Sequence, residues 1–509
     1  MSDSVPTRRH LQDLLSTVEF DGTSMRRAEK SHGDWTIRGD FSSLASAWSG
    51  AVETAGGWTN FRMNDEQLRG ALAAALSQNE RYGASQSCAG RTLVEFVSAD
   101  PVGPLPFSVA RSAAAGDALC RLLAFAGADI TREWYLNDIE ASPKLHLLGE
   151  SVGAAYSAHF GQNADFDGAL DDAFVRSVAA EEAKAGNQWL LAPHEESVAH
   201  FAHAARDAAV ASHRATIEKF GVRFDVWTSE STLRNEGRVE GAIRRLRERG
   251  HVYENGGATW LKTSQFGDDA DRVLLRRDGT PTYFAADIAY HLFKLERGFT
   301  RVVDVWTAEH RPYIERTRAA IRALGIDDTA LEFIPCESAR WRRDGKSVVR
   351  GRGGSDWTLD EAAEELDADT IKFWLLRAPW NEIATLDYER ARRDDETNVA
   401  YAVRLLPSRL QTRIGELEAR GNSAGETWSD DERAIARLVA LWPDTAENAA
   451  LERAPWRVAA WLEELAAAVR DDLKTAHNEA VTSAQTLRAA HISATNALQV
   501  LGLSPDNNF

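Results

Sequence analysis

Cysteine is scarce in this 509-residue chain: Cys88, Cys120 and Cys336 are far apart and form no CxxC pair. They give no disulfide framework and read as the reduced thiols of a cytoplasmic protein. No apolar run approaches the ~18–20 residues needed to cross a bilayer, and the first ten residues hold no apolar core of a signal peptide, so neither a membrane span nor export is expected. Basic residues are in deficit, 59 Lys+Arg against 77 Asp+Glu for a formal charge of −18, which argues against a broad nucleic-acid face and leaves room for a local basic patch. Internal repeats, low-complexity tracts and long linkers are also missing. What is present is a 44% hydrophobic chain, too apolar to be disordered and long enough for about two to four domains around sizeable cores.

The periodicities divide the chain into three. Residues 1–90 mix short strand-like runs with a helix over Asn64–Ser77, where Asn64 can cap and Leu68, Leu72 and Leu76 recur at helical spacing. Residues 91–386 alternate strands (Thr92–Val97, Ile130–Leu136, Arg301–Trp306, Leu331–Pro335) with helices (Ser108–Ala126, Pro193–Phe220, Pro312–Leu324). That alternation predicts a parallel sheet with crossover helices. Within it, 251–284 carries hairpin signals at Asn255-Gly256-Gly257 and Asp278-Gly279. Residues 387–509 read as helical throughout, over Glu389–Ala419, Ser429–Trp442, Trp456–His477 and Ala484–Leu501. The outline is a small α+β head, an α/β middle and an all-α tail.

Short motifs contribute little. Asp344-Gly345-Lys346-Ser347 ends like a P-loop, but Arg340 stands where the leading Gly is required. Gly351-Arg352-Gly353-Gly354-Ser355 is flexible enough to cradle a phosphate and also reads as a plain surface loop. Glu196, His200 and His203 share a helix face without a further ligand, so a solvated face is favoured and no metal is assigned.

Whole segments say more. The stretch 251–291, with Phe266-Gly-Asp-Asp-Ala-Asp-Arg272 and Asp278-Gly-Thr-Pro-Thr-Tyr-Phe-Ala-Ala-Asp-Ile-Ala-Tyr-His291, closely resembles the arginyl-tRNA synthetases of class I. Val94-Glu-Phe-Val-Ser-Ala-Asp-Pro-Val-Gly-Pro-Leu105, Thr131-Arg-Glu-Trp-Tyr-Leu-Asn-Asp138, Phe220-Gly-Val-Arg-Phe-Asp-Val-Trp227 and Lys294-Leu-Glu-Arg-Gly-Phe299 extend the likeness. The resemblance implies a Rossmann-type class I catalytic domain, a shortened N-terminal domain like those that bind the tRNA D-loop, and a C-terminal anticodon-binding-like bundle.

It also implies a chemistry, in which the arginine carboxylate attacks the α-phosphate of ATP and charge builds on phosphate oxygens. The family meets that charge with a His-x-Gly-His segment. Here the matching segment is Pro106-Phe107-Ser108-Val109, with neither histidine. The Lys-Met-Ser-Lys loop is replaced by Val348-Val349-Arg350-Gly351, leaving Arg350 and Arg352 as candidate phosphate cations. By the same resemblance, Glu95, Tyr283 and Asp287 surround the guanidinium of the substrate, and two carboxylates suit that planar cation. Tyr290, His291 and His310 keep their places, and Asp100 stands near the ligand's ammonium. Asn60 with Phe61, and Tyr401, fall where the family meets tRNA. The expectation is a relative that keeps recognition of arginine or a guanidino analogue, and of tRNA in outline, but has lost ordinary ATP-dependent arginyl-tRNA synthesis. The alternatives are an active ligase with a reorganised ATP site, the one case that calls for ATP with Mg2+, and a tRNA-binding protein without catalysis.

Overall fold

The computed structural model describes residues 11, 14–15, 25–27, 34–139, 142–162, 166–170, 172–347, 357–420, 428–475 and 482–505. Two compact units emerge. Ala89–Cys120 and Ala128–Ala391 form one, and Met1–Cys88, Arg121–Gly127 and Arg392–Phe509 the other, so the expected head and tail fall in a single unit.

The first unit is built on five strands: β1 (Gly90–Phe96), β2 (Ala128–Leu136), β3 (Val226–Ser229), β4 (Arg301–Thr307) and β5 (Leu331–Cys336). They lie in the order β5-β4-β1-β2-β3 and every neighbouring pair is parallel. Leu93, Val94 and Phe96 of β1 and Val302, Val303 and Val305 of β4 are buried, as expected of strands covered on both faces. Helix α1 (Ala110–Phe125) lies close against β1, and a Cβ at Gly116 would come within 2.4 Å of the Phe96 ring. The chain runs from β1 to β2 and β3 before crossing back to β4 on the other side of β1. In doubly wound sheets such a reversal marks the crevice where ligands bind, here the carboxyl ends of β1 and β4. The helices of this unit include α2 (His194–Lys219), α3 (Glu230–Asn235) and α4 (Tyr283–Glu296).

The expected strands and helices of this unit all form, with shifted ends. The helix expected from Ser108 begins as a 3-10 turn over Phe107–Val109. Gly256 and Gly257 turn a true antiparallel hairpin between Val252–Asn255 and Ala258–Leu261. Asp278-Gly279 turns a shorter one, with a single antiparallel bridge between Leu275 and Pro281. Its turn leads from Arg272–Leu275 into α4, whose first turn Thr282 caps through Ala285 N.

In the second unit, Trp35–Arg38, Trp58–Arg62 and Ala51–Ala55 form an antiparallel sheet with a short edge strand at Arg26–Arg27. Asn64 caps the helix Asp65–Gln78 in a capping box with Gln67. The single helix expected over Glu389–Ala419 is three, Tyr388–Ala391, Val399–Arg404 and Leu406–Ala419, because Asn398 starts a new helix and Pro407 sits at the start of the next. Conversely, the helix expected to stop at Trp442 runs through Pro443 as Asp430–Leu451. A proline removes the hydrogen bond to the carbonyl four residues back. Here that carbonyl, of Val439, accepts instead from the Tyr82 hydroxyl at 3.0 Å. Among the described residues, no helix is long and apolar enough to cross a membrane.

Candidate functional site

The crevice is organised by one buried lysine. Glu95 of β1 and Asp304 of β4 are register partners on adjacent strands. Lys294 of α4 reaches both, at 2.5 Å and 2.6 Å. Burial opposes a charged lysine, but Asp304, Glu95 and Glu133 together hold its pKa above the ordinary value. Burial likewise opposes ionisation of Asp304, and Lys294 and His291 overcome it, keeping that carboxyl below its usual range. The other Glu95 oxygen accepts from Ser98 Oγ at 2.8 Å. Ser98 is held in a turn in which it and the β-branched Val97 both have positive φ (43° and 69°). Such backbone persists where the surroundings over-determine it. The same Ser98 Oγ accepts from the Tyr135 backbone N–H at 3.0 Å.

α4 presents Tyr283, Asp287, His291 and Lys294 along one side at helical spacing. Tyr290 stacks on Tyr135 (4.0 Å, 14°) and donates to Glu133 at 2.7 Å. His291 is buried, with Nδ1 2.8 Å from the Asp287 carbonyl oxygen and Nε2 2.9 Å from Asp304. Tyr290 and His291 are thus the scaffold behind the crevice. Tyr283 is 55% exposed at the mouth. The partly exposed Asp287 has no hydrogen-bond or ion-pair partner for its carboxylate among the described residues. Burial, with Glu230 and Glu95 nearby, pushes its carboxyl up to about 7, while His291 and Lys294 pull the other way. Glu230 is already committed, accepting two N–H bonds from Arg234 at 2.8 and 2.7 Å.

The structure thus brings Glu95, Asp287, Tyr283, Tyr290 and His291 together. It also supplies a cation that the two-carboxylate argument had left to a ligand, since Lys294 neutralises Glu95. Lys294, Asp304, Glu230 and Tyr135 had not been singled out. The signal for Lys294 was there: a lysine seven residues after Asp287 falls on the buried face of α4. Asp100 is occupied as well, accepting from Asn137 Nδ2 at 2.9 Å and lying 2.5 Å from the exposed Lys144.

On the other side of β1, the Pro106–Val109 segment pairs with the strand-like end of the neighbouring loop. Phe107 N–H donates to the Trp357 carbonyl (2.7 Å) and Leu359 N–H to that of Leu105 (2.8 Å). Phe107 is buried edge-on against Trp341 at 5.2 Å, and Trp341 meets Trp357 at 3.9 Å. Ser108 is exposed on the 3-10 turn, and Pro106 has no N–H to offer. His310 is exposed beside Thr307 Oγ1 (2.8 Å). Val348, Val349, Arg350, Gly351 and Arg352 lie outside the described residues.

In the second unit Asn60 is buried and Phe61 is fully buried, edge-on to Trp48 at 5.8 Å. The Phe61 ring belongs to the core of the head and is not presented to a base, because both faces of its strand are covered. Tyr401 is half-buried in Val399–Arg404. His200, in the helix face weighed as a metal site, stacks on Trp189 (3.9 Å) and lies 2.6 Å from Glu182.

A parallel sheet with its crevice at a strand-order reversal, a small antiparallel head and a helical tail together define the class I synthetase architecture. Comparison with known proteins goes further. Residues 71–354 match the family model for the catalytic domain of class I tRNA synthetases specific for arginine. The chain is 36% identical over 423 residues to the arginine–tRNA ligase of Desulforudis audaxviator, covering 81% of this chain and 75% of that one. It is 35% identical over 476 residues to that of Geobacillus kaustophilus, covering 89% and 84%. Among solved structures, the arginyl-tRNA synthetase of Thermus thermophilus shares the fold with a TM-score of 0.73 at 18% identity, over 98% of this chain and 99% of that one. The chain belongs to the class I arginyl-tRNA synthetase family.

Proposed function

We propose that this chain recognises L-arginine at Asp287 and acts as an arginine-activating ligase toward tRNA, meeting the nucleotide phosphates with groups other than the histidines of the His-x-Gly-His pattern. The observation that carries this reading is the uncommitted Asp287 carboxylate beneath Tyr283, in a crevice whose other carboxylates already have cations. A planar guanidinium would satisfy it with two parallel N–H bonds. The reaction would pass through attack of the arginine carboxylate oxygen on the α-phosphorus, with pyrophosphate leaving. A ribose hydroxyl at the tRNA end would then attack the arginyl carbonyl, and AMP would leave. Arg350 and Arg352 are the cations proposed for the phosphates, joined by His310. The names carried by the relatives, arginine–tRNA ligase, support the reading.

The test is arginine-dependent ATP–pyrophosphate exchange, expected to be measurable and to fall in Arg350→Met and Arg352→Met. Calorimetry with L-arginine should show binding that Asp287→Ala abolishes. Absence of arginine binding would overturn the reading. A gel shift with arginine tRNA across a salt series tests the second substrate, since phosphate contacts weaken steeply with salt.

A second reading is favoured by Pro106–Val109, which carries no imidazole and packs Phe107 away from solvent. On it the chain binds arginine or a guanidino analogue without forming an adenylate, in a repurposed role. Binding that needs Asp287 but ignores ATP, with no exchange, would select it.

A further inference from the structure

Between the carboxyl ends of β2 and β3 and one face of α2 lies a cavity of about 480 Å³. α2 presents Arg206, Val210 and Arg214 to it at four-residue spacing. The acids of its lining are spent. Asp138 accepts from Ser229 Oγ at 2.7 Å and from the N–H and Oγ of Ser231 at 2.9 and 3.2 Å. Asp207 accepts from Arg206 Nε and Nη2 at 2.9 and 2.8 Å. The donors are not spent. Among the described residues, the Arg214 guanidinium has no carboxylate or other hydrogen-bond partner, and neither has the Thr232 hydroxyl. Arg214 is nonetheless held in place: it lies over the Trp227 ring, 4.0 Å from the centroid, and Trp227 stacks on Trp134 at 4.6 Å. Stacking uses the face of a guanidinium and leaves its five N–H donors for a ligand.

A lining with committed acids and free donors complements a ligand that is negatively charged and rich in acceptors. The donors come from two walls, Arg214 on α2 and Thr232 on α3, which suits the tetrahedral oxygens of a phosphate better than a flat carboxylate. The volume exceeds that of a lone phosphate, and Leu136, Val210 and Ala211 offer apolar surface to a sugar or base attached to it. We propose that this cavity is a binding site for the phosphate of a nucleotide, with Arg214 as its anchoring cation and Thr232 as a second donor. Two sources carry that chemistry, the single-stranded end of a polynucleotide and a free mononucleotide. The first rests on the tRNA reading above, since β2 is the neighbour of β1, at whose carboxyl end that RNA would deliver its ribose.

The experiment titrates the full chain at low salt with three probes: arginine tRNA by filter binding, and the RNA trinucleotide CCA and AMP by calorimetry. Wild type is compared with Arg214→Gln and Thr232→Val, each with a ligand-free melting curve. Arg214→Gln should weaken at least one probe by roughly tenfold or more, the loss expected of hydrogen bonds to a charged group, and Thr232→Val by about threefold or more. For a polynucleotide probe, the slope of log affinity against log salt should also fall by about 1 in Arg214→Gln. Dependence of tRNA or CCA on Arg214 assigns the site to a polynucleotide end, and dependence of AMP alone assigns it to a free nucleotide. Equal affinity of wild type and Arg214→Gln for every probe would overturn the inference. If losing the contact with Trp227 unfolds Arg214→Gln, Thr232→Val decides, because its hydroxyl gives up no bond in the ligand-free protein and unchanged affinities there overturn the inference. Arginine binding and pyrophosphate exchange by the wild type read the proposed function separately, and their failure leaves an Arg214-dependent phosphate site standing.

Discussion

Glu95 and Asp304 face each other across neighbouring parallel strands, at the seam where the strand order reverses, and share the ammonium of Lys294. Two carboxylates buried side by side repel, and neither strand could bury its own without the cation between them. The candidate site is therefore built against a closed internal charge network, with Asp287 as the group outside it.

Lys294→Met tests that network. It keeps the volume and removes the charge, leaving Glu95 without its cation and Asp304 with His291 as its remaining partner. The expected loss is about 3–5 kcal/mol of stability, as for other broken buried ion pairs. Chemical denaturation followed by circular dichroism reads it, and a change under 1 kcal/mol would mean that Glu95 and Asp304 are stabilised by something else.

Asp287 sets a pH dependence. Its carboxyl is pushed from an ordinary 3.8 up to about 7 in the folded protein. A raised acid pKa contributes stability that is full below the unfolded value and is lost as pH rises through the folded one. The ligand-free protein should thus lose this contribution between about pH 4 and 7. Binding of a cation runs the other way, because it needs the ionised form. Arginine affinity should climb with pH by up to about tenfold per unit below 7 and level off above. Calorimetry from pH 5.5 to 8.5 measures it, and Asp287→Asn should bind weakly with a flat profile.

Tyr82→Phe addresses the helix that passes through Pro443. Without the hydroxyl, the Val439 carbonyl loses the donor that replaced the missing proline N–H. An unsatisfied buried acceptor costs about 1–3 kcal/mol. Denaturation followed by tryptophan fluorescence should show it, since Trp442 donates to the Tyr82 carbonyl at 2.9 Å. An unchanged midpoint would mean that the helix tolerates the free carbonyl.

Restoring the family's imidazoles asks how much the Pro106–Val109 segment limits the reaction. The triple variant Pro106→His, Ser108→Gly, Val109→His should raise arginine-dependent ATP–pyrophosphate exchange by about 10²-fold or more, the scale of one recovered transition-state donor. If the rate does not change, the phosphates are handled elsewhere, and Arg350 and Arg352 become the residues to vary.

What the amino-acid sequence determined by itself is local or segmental. The Asn64 cap, the Gly256-Gly257 hairpin, the alternation that makes a parallel sheet and the segments shared with the synthetase family depend on residues close together in the chain. Only the tertiary structure decided which charges meet. Lys294 and Glu95 are 199 residues apart, so no spacing rule pairs them, and the pairing leaves the Asp287 carboxylate without an ion-pair partner among the described residues. The same holds for Phe61, whose aromatic character suited a base until Trp48 covered it, and for Pro443, where a distant tyrosine replaced the bond that a proline removes. Periodicity and capping act within a few residues, whereas burial and charge compensation are set by whichever distant groups the fold brings into contact.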